Sequence, residues 1–273
     1  MTMQLARSLR ALGLVVTTAS LSQAAMAAPV MPSFDNAPAG WTVDRYAAAS
    51  FGDIGTYQGR DNVLAIGIDN STNSGNRAPG QQGTFYNTQG MKYLISGGAG
   101  SVLAADLFIN ESWRSNTNGF VRTDMWGTMV DGAAAVSAYP IIGFTNYGGA
   151  ARLRVWDADT NGWVDLADAI LYEAWNSFSV EFTGTSFDYY VNGAFAYSYT
   201  DTTISGTTQF KEVIMQAYNF NDPSLNISNN AAYTAHWANA QLRVPEPGSL
   251  TLVALALFSL GVAGRRRAER PQS

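Results

Sequence analysis

Across residues 41–244 the chain has hardly a helical period; apolar and polar residues alternate instead in short runs broken by turn residues. The run Ser177-Phe178-Ser179-Val180-Glu181-Phe182-Thr183 puts Phe178, Val180 and Phe182 on one side and polar groups on the other, as a strand with one buried face requires. Residues 151–156 do the same with Leu153 and Val155 inward, and residues 102–109 set Leu103, Ala105, Leu107 and Ile109 against Asp106 and Phe108. Asn192-Gly193 separates two aromatic runs, 187–191 and 194–199, and both residues accept the positive φ that a two-residue hairpin needs. Such runs number about a dozen, enough for two packed sheets. Residues 70–83, 97–100 and 221–230 read as loops. With no internal repeat and no long interior linker, residues 28–244 are expected to form one all-β sandwich domain.

Composition narrows the chemistry. The 273 residues include no Cys and one His, so a disulfide framework, a thiolate metal site and a cysteine nucleophile are all ruled out. The formal charge is −5 for the whole chain, but the ends are basic, and residues 28–244 carry 10 basic and 19 acidic side chains, a net −9. A nucleic-acid binder would need a basic face, so that class is not expected.

The two ends read as addresses. Residues 1–27 have Arg7 and Arg10 before an apolar stretch and close on Ala25-Met26-Ala27, the layout of a secretory signal peptide cleaved after Ala27. At the other end, residues 245–273 contain Pro245-Glu246-Pro247, the apolar segment 249–264, and Arg265-Arg266-Arg267. As a helix that segment would be about 24 Å long, a marginal transmembrane span whose arginines stay on the cytoplasmic side.

This C-terminal order of Pro-Glu-Pro, short apolar helix and arginine cluster resembles the PEP-CTERM sorting signal of Gram-negative bacteria. The resemblance implies a transient inner-membrane anchor, processing by an exosortase, and delivery to the cell surface or to an exopolysaccharide (biofilm) matrix. A second resemblance covers residues 175–193. A Trp opening an amphipathic strand, then Phe182-Thr183-Gly184, then an aromatic strand ending Tyr190-Val191-Asn192-Gly193, is similar to the core of laminin-G-like, concanavalin A-like domains, and residues 237–242 resemble their closing strand. It implies a two-sheet jelly-roll sandwich, a fold shared by lectins, adhesion modules and glycan hydrolases, so function has to be read from a site.

Two constellations carry chemistry. If Val121, Thr123 and Met125 point inward, Arg122, Asp124 and Trp126 share the opposite face; Arg152, Arg154 and Trp156 likewise oppose Leu153 and Val155. On neighbouring strands they would make a platform, with Arg122, Asp124, Trp126, Arg154 and Trp156 as the ligand-binding residues. Aromatic rings suit the C–H faces of sugars and planar polar groups suit their hydroxyls. The other constellation is Asp157, Asp159, Asn161, Asp165 and Asp168, which with Gly162 match the ligand spacing of a Ca²⁺-binding EF-hand loop. Asp168 is shorter than the usual Glu, no amphipathic helix precedes the loop, and the strand-like flanks favour a hairpin turning at Asn161-Gly162. Ca²⁺ is the one cofactor these residues suggest, and none is required.

No clustered carboxylate motif of a glycan hydrolase is visible, and nothing near His236 in sequence would orient it as a base. The expected function is therefore a non-catalytic glycan-binding or adhesion module with a polysaccharide partner. The alternatives are a matrix protein without a specific ligand and a glycan hydrolase or lyase.

Overall fold

The computed structural model describes residues 34–69, 73–200, 206–225, 227 and 230–245. The expected signal peptide, the apolar segment 249–264, the arginine cluster, Glu246 and Pro247 lie outside the described residues. Among the described residues no helix is long and apolar enough to cross a membrane.

The strands of the first half are β1 (Thr42–Val43), β2 (Ser50–Asp53), β3 (Leu64–Ile68), β4 (Thr88–Gly97), β5 (Ser101–Ile109), β6 (Arg122–Asp131), β7 (Val136–Ala138) and β8 (Ile141–Thr145). Those of the second half are β9 (Arg152–Asp157), β10 (Gly162–Asp165), β11 (Ala174–Phe182), β12 (Ser186–Val191), β13 (Ala194–Thr200), β14 (Thr207–Tyr218) and β15 (Tyr233–Arg243). They form two antiparallel sheets stacked as a jelly-roll sandwich. The first runs β1-β4-β14-β6-β8-β9-β10, with short β7 beside β6; the second runs β13-β12-β11-β5-β15-β3-β2.

Alternation decides which side chains meet between the sheets. Phe178, Val180 and Phe182 of β11 and Leu103, Ala105, Leu107 and Ile109 of β5 all enter the core, as their parity predicts. Met125, Ile142, Phe144, Leu153, Val155, Val213 and Met215 face them from the first sheet. Each such large side chain contributes about 1.5–3 kcal/mol on burial. Trp237, fully buried on β15, also ties the layers by hydrogen bonding: its indole N–H donates to Thr123 Oγ1 on β6 at 2.9 Å.

Two features depart from the expected pattern. The Asn192-Gly193 turn joins β12 to β13 as a two-residue hairpin, with Val191 opposite Ala194 and φ of 51° and 79° at the two turn residues. The second Asn-Gly does not repeat it. Gly162 is already in β10, paired with Asp157, so the loop is residues 158–161, with Asn161 alone at a φ of 49°. The Asp157 carboxylate is the cause: its Oδ1 accepts the N–H groups of Asp159 and Thr160 and holds the longer turn.

β6 is also buried on both faces from Thr123 to Val130, although a strand with one solvated face should alternate. Something therefore covers the outer face of the first sheet.

Candidate functional site

That outer face is built from cross-strand rows. Ile214 (β14), Trp126 (β6), Ile141 (β8), Trp156 (β9) and Trp163 (β10) lie side by side in register. The next row is Gln216, Asp124, Gly143, Arg154 and Asp165, and Arg122, Thr145 and Arg152 follow. The first row makes an apolar cluster separate from the main core: Trp126, Ile141 and Ile214 buried, Trp156 and Trp163 half-buried against them. Asp44, Arg45 and Gln81 from loops, and Phe85 and Tyr86 from a short 3-10 helix (Thr84–Asn87), rise beside it, leaving a groove of about 760 Å³ into which Arg122, Trp126, Tyr139, Trp156 and Trp163 also face.

Arg122, Asp124, Trp126, Arg154 and Trp156 thus share one face, as their parity predicts, but β6 and β9 are not neighbours. β8 lies between them, and at the crossing point it carries Gly143. Without a side chain there, Arg154 reaches over the strand to bring its Nη2 within 3.7 Å of Asp124 Oδ2. The same oxygen accepts from Arg122 Nε at 2.9 Å and from the Gln216 side-chain amide. Asp124 and Arg154 are buried beneath the face and do not line the groove; Arg122, Trp126 and Trp156 do.

The guanidinium groups are held by aromatic faces as well as by carboxylates. Arg154 Cζ is 3.6 Å from the Trp163 ring centroid, and Arg122 Cζ is 5.0 Å from Trp163 and from Tyr218. Arg45 covers Trp126 at 4.3 Å and touches Phe85 at 4.8 Å; Phe85 and Tyr139 are the exposed rings of the groove, Trp156 is half-buried, and Trp163 is half-buried with Arg154 over its ring. Burial pushes the Arg154 pKa down to about 10, with Asp124 opposing the shift, and burial lowers Arg45 too.

Several buried atoms of this face have no hydrogen-bond partner within the protein: Asp124 Oδ1, Gln216 Oε1, Arg154 Nε and Nη2, and Trp126 Nε1. An unsatisfied buried polar atom costs about 1–3 kcal/mol, so the layer beneath the groove is a local cost to the fold.

Sequence parity alone missed Trp163, Arg45, Phe85 and Tyr139. The signal for Trp163 was present, because it follows Asn161-Gly162 and must fall opposite an outward residue of β9; it pairs with Trp156. Arg45 and Phe85 come from segments whose approach no local pattern encodes.

The carboxylates of the second constellation have separate surroundings. Asp157 is buried, and its Oδ2 accepts a 2.6 Å hydrogen bond from Tyr197. Asp165 lies on β10 and accepts from Arg152 Nε at 2.8 Å. Asp159 and Asn161 are exposed in the loop, and Asp168 is half-buried beyond β10. Elsewhere, His236 stacks on Tyr57 with ring centroids 4.0 Å apart, and burial lowers its pKa.

A family model described as the PEP-CTERM protein-sorting motif matches residues 243–267. That motif implies export with transient membrane anchoring. No curated protein matches the chain. Among solved structures, an endo-β-1,4-glucuronan lyase from the fungus Trichoderma reesei is 10% identical with a TM-score of 0.49, covering 79% of this chain and 95% of its own. A β-1,3-1,4-glucanase (lichenase) derived from a mouse hindgut metagenome is 12% identical with a TM-score of 0.46, covering 78% and 97%. A carbohydrate-binding module from Bacillus subtilis is 16% identical with a TM-score of 0.36, covering 74% and 94%.

Proposed function

We propose that this chain is an exported, exosortase-processed protein of a Gram-negative bacterial surface or exopolysaccharide matrix, and that its sandwich binds a glycan without cleaving it. The observation that carries the binding reading is the groove itself: half-buried Trp156 and Trp163 beside the polar side chains of Arg122, Gln81 and Asp44. Rings of that kind stack on the C–H faces of a sugar while such polar groups exchange hydrogen bonds with its hydroxyls. The non-catalytic reading is supported by the state of the carboxylates on this face. Asp124 is engaged by Arg122, Glu212 by Lys92, Asp44 by Arg45 and Asp165 by Arg152. Glycan hydrolysis would need two carboxyl groups facing a bound sugar.

The test is binding of the isolated sandwich to a glycan array and to the producer's own exopolysaccharide, beside the Trp156→Ala, Trp163→Ala double variant. Loss of roughly tenfold or more in affinity is expected, from two lost stacking faces. Undiminished binding by the double variant would take the groove out of the function. New reducing ends or unsaturated products in the same mixtures would make the protein a hydrolase or lyase.

A further inference from the structure

Resting on the glycan-binding reading, we infer that the groove selects an acidic sugar, with the carboxylate of a uronic acid unit held at Arg122 over the charge of Arg154. The argument is a balance of charge on one face of one sheet. Four cations there have an anion each: Lys92 with Glu212 at 3.2 Å, Arg152 with Asp165 at 2.8 Å, Arg45 with Asp44 at 3.1 Å, and Arg122 with Asp124 at 2.9 Å. Arg154 is the fifth. It shares the Asp124 carboxylate that Arg122 already engages, at 3.7 Å and without a hydrogen bond, and feels the Asp165 carboxylate that Arg152 already engages, while Trp163 covers its plane. A guanidinium cannot shed its proton near neutral pH, so one surplus positive charge stays buried beneath the groove.

The domain around this groove has a net charge of −9. That overall charge opposes an acidic ligand at long range, so the attraction is local to the groove: a surplus cation kept more than nine-tenths buried is costly through desolvation unless an anion approaches it, and the low local dielectric strengthens that attraction. Arg122 and Arg45 line the groove, and Arg122 touches both Asp124 and Trp163, which makes it the guanidinium through which a ligand meets the surplus charge.

The test uses oligosaccharides of polyglucuronate, polymannuronate and polygalacturonate, each beside its carboxyl-reduced neutral counterpart, titrated into the sandwich by calorimetry. At least one acidic form is expected to bind roughly 10-fold to 100-fold tighter than its reduced partner. Arg122→Gln, with its melting curve checked, should narrow that ratio. Equal or tighter binding of the reduced forms overturns the acidic-sugar assignment and leaves the glycan-binding reading standing. An acid preference that Arg122→Gln leaves intact overturns the assignment of the carboxylate to Arg122. Failure of all six sugars, together with a blank glycan array, overturns both readings.

Discussion

A methyl group added at Gly143 would stand 2.3 Å from Asp124 Oδ1 and 2.4 Å from the Thr123 carbonyl oxygen. Neither atom can withdraw easily, because Thr123 belongs to the β6 ladder and Asp124 is fixed by Arg122 and Gln216. Gly143→Ala is therefore expected to destabilise the fold by about 1–3 kcal/mol, read as a lower urea midpoint at an unchanged slope. The same substitution should also weaken sugar binding, since the added methyl would displace the Asp124 carboxylate that anchors groove-lining Arg122. At this scale the sequence was half legible. Parity placed Arg122, Asp124, Trp126, Arg154 and Trp156 on one face because side-chain direction in a strand is a local property. Gly143, which lets the two halves of that constellation meet, read as one of 26 glycines.

At the scale of elements, two Asn-Gly pairs with the same local signal fold differently. In β12–β13 both residues occupy left-handed backbone, and nothing lies within 4 Å of where a Gly193 Cβ would stand. Gly193→Ala should cost about 1–2 kcal/mol from backbone conformation alone. Gly162 has ordinary strand geometry with neighbours no closer than 3.7 Å, so Gly162→Ala should fall within about 0.5 kcal/mol of the parent. Thermal melts of the two variants side by side check the contrast. The dipeptide signal was insufficient because Asp157, four residues upstream of Asn161, supplies competing backbone hydrogen bonds. Burial on both faces of β6 was likewise hidden from its own pattern, since Arg45 reaches Trp126 from a loop distant in sequence and Tyr139 packs against the same ring.

For the whole molecule, the final strand ends next to the sorting motif. β15 lies between β5 and β3 in the second sheet, with Trp237, Ala238, Ala240 and Leu242 buried, and Pro245 meets the turn at Gly100. A chain spanning residues 28–245 should melt at the temperature of the same chain extended to residue 273, whereas one ending at residue 232 should lose cooperative unfolding, because a central strand and its core residues go with it. Export and transient anchoring follow from the sorting motif, while the groove depends on how the sandwich closes. The sequence by itself determined that the chain is a two-sheet β protein with a C-terminal sorting signal, because strand alternation, turn chemistry and a linear motif are all encoded within a few consecutive residues. Only the tertiary structure decided that Trp163 joins Trp156, that Arg45 covers Trp126, and that Arg154 shares Asp124 across Gly143. Those contacts depend on strand order and loop approach, which are set by the closure of the whole sandwich rather than by any single run of residues.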